Sequence, residues 1–420
     1  MKTSEKTYLL TLFNIAVNES LPDVCMPRHL TKIDASNGIC VIGAGKAAVQ
    51  MAEVINQHFP NKCFGSIVTR YGYTEKTTIG KINILTASHP IPDEGSLAAG
   101  VEMLQLARNN PANIPVVFLI SGGGSALLSL PIEGLEFSEK IKINRFLLAS
   151  GASIDEINIV RKQLSQIKGN KLAEAVKGPY QTLIISDVVG DDPSLIASGP
   201  TVSDSSTAQQ ALAVLRKYKW EDLNTIKSIL DKSPSQILKS IKHHDVIMMA
   251  NAELSINKAM EAARIDGWDT KVLSYDQEGE ASTIAKRHAD LALSALRNNQ
   301  SIILFSGGEL TVTLSENSGL GGPNQEYLLA LAIELNGVEG VSAIACDTDG
   351  IDGSMDVAGA FIDHTTLIRA SEKLMNPKLY LNKNESYVFF NQLGDLIQTG
   401  PTHTNVNDFR AIMVKPPSTS

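Results

Sequence analysis

With 420 residues, 43% of them hydrophobic and 20% charged, the chain has the balance of a packed globule of two or three domains and not that of a disordered segment. A net charge of −8 argues against a broad nucleic-acid or anionic-membrane surface, while leaving room for a local basic pocket that takes an anionic substrate. The four cysteines, Cys25, Cys40, Cys63 and Cys346, lack metal-site spacing and read as buried, reduced thiols of a cytoplasmic protein, and no apolar run reaches membrane-spanning length.

Tyr8 to Val17, interrupted by Asn14 and followed by no small-residue cleavage site, predicts an amphipathic first helix rather than a secretion signal. Short apolar runs at 38–42, 66–69, 81–86, 115–120, 181–185, 245–249, 271–274, 301–305 and 341–345 predict strands alternating with helices. Several are apolar on both faces, the mark of a largely parallel sheet covered by helices, so the fold class is α/β. The stretch from Asp204 to His244 reads as helical and Lys-rich and has no glycine. It separates Gly-rich turns ending at Pro200 from a second group starting at Ser306, which predicts domains at 1–240 and 241–420. A ligand shared by both groups would occupy an interdomain cleft.

The chemistry-bearing segments follow the predicted strands. Gly43-Ala44-Gly45-Lys46-Ala47-Ala48 matches the dinucleotide pattern G-x-G-x-x-A, in which backbone N–H groups meet a pyrophosphate at a helix start. The acidic residue expected about 20 positions later for a ribose hydroxyl is missing, and that strand ends at Arg70. Lys46 offers an amine to an anion at this turn; a surface lysine is the plain alternative. Ser121-Gly122-Gly123-Gly124-Ser125, between a buried run and a helix, has the glycines and hydroxyls of a phosphate cradle. Arg161, Ser165 and Lys168 fall at i, i+4 and i+7, which on one helix would form a basic and hydroxyl stripe for a substrate anion, or equally a solvated face. Asp187, Asp191 and Asp192 follow a strand and suit either Mg²⁺ and proton transfer or turn capping. Ser306-Gly307-Gly308-Glu309 repeats the glycine turn with a carboxylate added. Asp347-Thr348-Asp349-Gly350-Ile351-Asp352-Gly353 brings three carboxylates to a strand's carboxyl end, where open α/β folds bind ligands, although a polar turn has the same composition. The segment 399–408 is rich in hydroxyls and amides around His403, a general base or an incidental loop histidine.

In this order the segments resemble the class II glycerate kinases, the MOFRL family. The matching stretches are VIGAGKAA, ASHPIPDE (Ala87 to Glu94), SGGGSALL, VRKQLSQIKG (Val160 to Gly169), SDVVGDDPSLIASGPT, SGGELTVT, GGPNQE, DTDGIDG and TGPTHTNVND, and they run from about residue 41 to 408. The resemblance implies a Rossmann-like N-terminal domain, a smaller C-terminal α/β domain with the active site between them, and transfer of a phosphoryl group from ATP to the 2-hydroxyl of D-glycerate with a divalent cation. It makes Lys46 the family's essential lysine. The chain departs from the family at Pro323, where an arginine is common, and at Asn170 and His403, where glycine is frequent.

Such transfer consists mostly of positioning and charge neutralisation. The residues expected to hold phosphate are Gly43, Gly45, Ser121 to Ser125 through Gly122, Gly123 and Gly124, then Gly307, Gly308 and Asn324. Lys46, Asp187 and Asp191 are the candidate catalytic groups, and Asp187, Glu309 and Asp349 the candidate Mg²⁺ ligands. Arg161, Lys168, Thr402 and Asn405 are candidates for glycerate. The expected partners are small molecules, with no nucleic acid and no membrane; the oligomeric state is open, a homodimer included. Two rival readings stand beside this one: an NADPH-dependent hydroxypyruvate reductase, suggested by the G-A-G-K-A-A turn and Arg70, and a noncatalytic nucleotide-sensing protein.

Overall fold

A computed structural model of the protein describes residues 4–232, 244–314 and 318–417. The chain forms two compact units, Pro22–Met249 and a second composed of Met1–Leu21 with Ala250–Ser420. The expected boundary at 240 and the end of the Lys-rich stretch, 233–243, lie outside the described residues. The first helix, Glu5–Glu19, groups with the C-terminal part rather than with the residues that follow it. Its buried stripe of Leu9, Leu12, Phe13, Ala16 and Val17 shares a core with Ile256, Ala259 and Met260 of helix Ala252–Ile265, and Phe13 stacks obliquely on Phe409.

The first unit is built on a seven-stranded sheet. Its strands are β1 (Ile39–Ala44), β2 (Cys63–Arg70), β3 (Thr78–Ile79), β4 (Lys81–Ala87), β5 (Val116–Ile120), β6 (Tyr180–Ile185) and β7 (His244–Ala250), in the order β3-β4-β2-β1-β5-β6-β7. From β4 through β2, β1 and β5 to β6 every pairing is parallel, while β3 and β4 pair antiparallel. Every residue of β1 and β5 is buried, as expected of central parallel strands covered on both faces. Ala99, Met103, Leu104 and Ala107 of helix Glu94–Asn109 form a core with β1 and β5 residues. The strand sequence runs outward in opposite directions from the β1–β5 pair, making this a topological switch point. A helical lobe carries a separate core, with Ile143, Leu147, Ile157, Val160, Leu212 and Leu215 among its members.

The second unit contains β8 (Asp269–Ser274), β9 (Gly279–Glu280), β10 (Ile302–Ser306), β11 (Leu310–Thr311), β12 (Val341–Asp347), β13 (Gly359–Ile362), β14 (Leu396–Ile397) and β15 (Asp408–Val414). Six of them form a sheet in the order β14-β13-β12-β15-β10-β8, and β9 pairs with β11. Within the six-stranded sheet β8 and β10 are parallel and the other pairings antiparallel, so the largely parallel character holds for the first unit and the second sheet is mixed. The difference comes from β15, a fully buried central strand that sequence periodicity passes over because Asp408 and Arg410 interrupt its apolar residues. Helices Ala281–Arg297 and Pro323–Leu335 pack together on the core of this unit. Among the described residues no helix is long and apolar enough to cross a membrane.

Candidate functional site

The central parallel pair of the first unit creates its most distinctive surface. Ala44 stands in register with Ile120, so the turns leaving β1 and β5 emerge side by side from one edge of the sheet. Ser121 N–H donates to the Ala44 carbonyl (3.0 Å), Lys46 N–H to the Gly122 carbonyl (2.9 Å), and Ala47 N–H to Ser121 Oγ (3.0 Å). Gly45 has φ +136°, and a Cβ there would stand 2.1 Å from Ser121 Oγ, so only glycine lets the two turns touch. Asp187, just beyond β6, lies directly over Gly122: a Cβ on Gly122 would sit 1.8 Å from Asp187 Oδ2. Asp191 lies one turn further on, at φ +53°, with its N–H bonded to the Val188 carbonyl at 3.1 Å. Gly45, Lys46, Ser121 to Ser125 and Asp187 are thus brought together, whereas Gly43 lies inside β1, where a Cβ would stand 2.7 Å from Ile67 Cγ2, and packs the sheet rather than the turn.

A cavity of about 330 Å³ opens beside the turns, lined by Gly123, Ser125, Asp187 and Ala197, by His89, and by Asn144, Arg145, Asn158 and Arg161 of the helical lobe. Arg161 Nε donates to Asn144 Oδ1 (3.2 Å), and burial pulls the guanidinium below its ordinary pKa. Neither Arg161 nor Arg145 meets a carboxylate at ion-pair distance among the described residues. A desolvated cation without a counter-ion is costly, and an anionic ligand in the cavity supplies one. His89 is pushed down to about 4, first by burial and then by Lys46 and Arg70, so its imidazole is neutral at neutral pH.

Lys168 does not share this cavity with Arg161. The helix expected to carry both ends at Gln163, where Ile132 N–H takes the Leu164 carbonyl (3.1 Å) and Gln166 N–H the Leu130 carbonyl (3.1 Å), drawing the chain into a bridge between Pro131 and Ser165. The single basic stripe is therefore broken. Lys168 is 2% exposed and its Nζ donates to the backbone carbonyls of Ser125 (3.0 Å) and Ala197 (3.2 Å). The two departures from glycine also find their place, for Asn170 and His403 adopt φ +70° and +65°, left-handed conformations that glycine takes at less cost.

In the second unit the register of β15 sets Ser306 opposite Arg410 and Asp347 opposite Asp408, gathering the ends of β10 and β12 at one edge. Arg410, 1% exposed, pairs with Asp408 (2.7 Å), donates through Nε to Ser306 Oγ (3.0 Å) and reaches the Gly307 carbonyl, so the Gly307–Gly308 turn is fastened from beneath. Glu309 is exposed in that turn. Asp349 Oδ1 accepts the Ile351 N–H (2.8 Å), and its carbonyl accepts the Thr402 N–H (3.1 Å). Thr402 Oγ1 donates to the Thr348 carbonyl (2.5 Å), and Asn405 Oδ1 accepts the Asn407 N–H (3.0 Å).

Asn324 lies inside, 1% exposed, its amide donating to Asp352 Oδ1 (3.3 Å) and Asp408 Oδ1 (2.6 Å). Asp352 also accepts the backbone N–H groups of Asn324 (3.0 Å) and Gln325 (2.9 Å), clamping the acidic loop to the start of helix Pro323–Leu335. Burial lifts Asp352 to about 7 while these N–H donors pull it down. Pro323 is the first residue of that helix, a position that tolerates the missing N–H of proline. Among the described residues no group of three or more His, Cys, Asp or Glu is placed to hold a metal ion; Asp187 belongs to the first unit and Glu309 and Asp349 to the second.

The sequence pointed to no role for His89 or Arg145, and Asp352, expected among the three ligand-facing carboxylates of 347–353, is instead spent on the start of helix Pro323–Leu335. His89 had a visible signal, its position just past the end of β4 in Ala87-Ser88-His89-Pro90, whereas Arg145 sits on an ordinary amphipathic helix and carried none.

Residues 8–231 match the family model described as a domain of unknown function, DUF4147, and residues 302–408 match the MOFRL family. The chain is 36% identical over 412 residues to the D-glycerate 2-kinase of Thermotoga maritima, covering 96% of this chain and 97% of that protein. It is 40% identical over 419 residues to an Agrobacterium vitis protein provisionally named hydroxypyruvate reductase, covering 98% and 95%. Its fold matches the crystal structure of a glycerate kinase from Thermotoga maritima with a TM-score of 0.91 at 34% identity, over 97% of this chain and 99% of that one.

Proposed function

The chain belongs to the glycerate 2-kinase family that joins DUF4147 and MOFRL domains, and we propose that it transfers the γ-phosphoryl group of ATP to the 2-hydroxyl of D-glycerate, giving 2-phospho-D-glycerate and ADP. It is a phosphotransferase. The observation that carries the reading is the pair of stitched glycine turns with Asp187 over Gly122, beside a cavity whose desolvated Arg161 has no carboxylate partner among the described residues.

In this reading the amides of Gly122 and Gly123 face phosphate oxygens, since those of Ser121 and Gly124 are spent on the Ala44 and Ser121 carbonyls, and Lys46 neutralises charge on the transferring group. Arg161, with Arg145 beside it in the same cavity, takes the carboxylate of glycerate. Asp187, at the mouth of the glycine turn, accepts the hydroxyl proton or ligates the cation, with Asp191 as the alternative. Mg²⁺ fits the donors present, since it is commonly held through one or two carboxylates and the substrate's own phosphates rather than by a protein cage. It would supply neutralisation of phosphate charge. In the second unit Gly307, Gly308, Glu309 and Asp349 remain candidates for phosphate and cation, and Thr402 and Asn405 for substrate. The four cysteines are free and buried, which supports a cytoplasmic setting.

The name of the Agrobacterium relative makes NADPH oxidation the competing assay. Arg70 at the end of β2 suits the 2′-phosphate of NADPH, so the argument against a reductase is instead Asp187 set over the Gly122 turn, a carboxylate that hydride transfer does not need. ADP release with D-glycerate, phosphorus NMR of the product and coupling through enolase are expected to report 2-phosphoglycerate. Mainly 3-phosphoglycerate, or NADPH oxidation with hydroxypyruvate and no ADP, would overturn the assignment.

A further inference from the structure

The wall behind the glycine turn contains a device with no counterpart in the roles above. Ala197, Ser198 and Gly199 have φ of +52°, +61° and +58°, three consecutive left-handed residues of which two carry a Cβ. Such backbone is unfavourable and persists only where its surroundings over-determine it. Here all three carbonyls are gripped by three consecutive residues of another segment. Lys168 Nζ takes the Ala197 carbonyl (3.2 Å), Gly169 N–H that of Ser198 (3.1 Å), and Asn170 N–H that of Gly199 (2.7 Å). Gly169 and Asn170 are themselves left-handed, at +60° and +70°.

Lys168 does more than hold the strained turn, because its ammonium also takes the Ser125 carbonyl (3.0 Å). Ser125 and Ala197 both line the cavity, and a Cβ on Gly124 would stand 2.7 Å from Ala197 Cβ, so the glycine turn rests on the strained one. The hydroxyls agree: Ser125 Oγ meets Ser198 Oγ (2.9 Å), which donates to Asn158 Oδ1 (3.2 Å). Lys168 makes no ion pair among the described residues, and burial drives its pKa well below the ordinary lysine value. For folding alone, an apolar side chain of similar volume would be cheaper than a bare buried ammonium.

We infer that Lys168 is a positioning residue for phosphoryl transfer: it ties the Ser125 and Ala197 carbonyls to one ammonium and thereby holds the glycine turn in the shape that receives phosphate. Lys168 touches no reactant; its effect passes through the backbone it anchors. The inference rests on the kinase reading, so its test carries a readout that survives failure of that reading.

The informative variant is Lys168→Met, with Lys171→Met as control. Lys171 also spends its ammonium on two carbonyls, of Lys162 (2.8 Å) and Ser165 (2.7 Å), but neither residue lines the cavity. Lys168→Met is expected to lower kcat by roughly 30-fold or more, as a displacement of reacting groups by about 1 Å does, with Tm unchanged or higher and KM for glycerate within about threefold. Lys171→Met should keep kcat within about threefold. Retained kcat in Lys168→Met, or equal losses in both variants, overturns the inference. If Lys168→Met does not fold, Lys168→Gln, which keeps an amide donor, is read the same way. Failure of both to fold assigns Lys168 to folding alone and also overturns it. Should the wild type release no ADP with glycerate, the kinase reading fails separately, and stabilisation by tripolyphosphate decides for Lys168. Loss of that stabilisation in Lys168→Met supports the inference, and its retention refutes it.

Discussion

Gly122→Ala tests the site at its tightest point. A Cβ at this residue would lie 1.8 Å from Asp187 Oδ2 and 2.3 Å from its Cγ, and ordinary contact begins only near 3.4 Å. The carboxylate or the glycine turn must therefore retreat by more than about 1 Å, a misplacement that costs on the order of 10²-fold in a positioned reaction. This corresponds to about 2.7 kcal/mol of transition-state stabilisation. Gly122 does not occupy left-handed backbone, and Asp187 is half-exposed at the end of a strand, so the carboxylate can swing outward without disrupting the core. Tm should consequently fall by only a few degrees while kcat drops about a hundredfold. Steady-state ADP release with glycerate, together with thermal unfolding, measures both quantities. A Gly122→Ala enzyme with kcat within threefold of wild type would refute the placement of Asp187 at the reacting groups. So would a fully active Asp187→Asn, since the loss in Gly122→Ala would then belong to the turn alone.

Three further outcomes are expected. Lys46→Ala should lose on the order of 10²-fold in kcat with little change in Tm, and Lys46→Arg should not recover fully, because a planar guanidinium cannot replace a compact ammonium in this glycine-lined turn; near-normal kinetics would make Lys46 a solvated loop residue. EDTA should abolish ADP release and added Mg²⁺ restore it, whereas full activity in EDTA rules out the cation. His288, bonded to the Tyr327 hydroxyl (2.9 Å), is driven down to about 3 by burial, with Arg410 and Arg287 adding to the effect. Its folded value lies below the unfolded 6.5, so the unfolded chain binds the proton first. The contribution is complete above about pH 6.5 and declines as the pH falls toward 3; a His288→Gln variant should show a flatter decline of Tm between pH 6.5 and 4.5, and an unchanged slope would exclude this histidine as the cause.

Much of the first unit was legible because its signals are local. The glycines after β1 and β5 and the carboxylates after β6 each lie within a few residues of the apolar strand they follow, and specify strand–turn connections through backbone preference alone. The sequence determined in this way the α/β class, the glycine turns with Lys46 and Ser121 to Ser125, and Asp187 after β6, while the strand order that makes the β1 and β5 turns a switch point came from the tertiary structure. It could not separate Arg161 from Lys168, which share a helical spacing, since only a bridge between Pro131 and Ser165 shows that the helix stops between them. Nor could it place β15, where the charges of Asp408 and Arg410 disguise a central strand and are reconciled with burial by pairing with each other. The grouping of the first helix with residues beyond 250, the approach of His89 to Lys46, and the grip of 168–170 on 197–199 were likewise decided by the tertiary structure. Turn and helix propensities act between neighbours in the chain, whereas desolvation, counter-ions and the cost of strained backbone depend on groups brought together from distant positions only when the chain is folded.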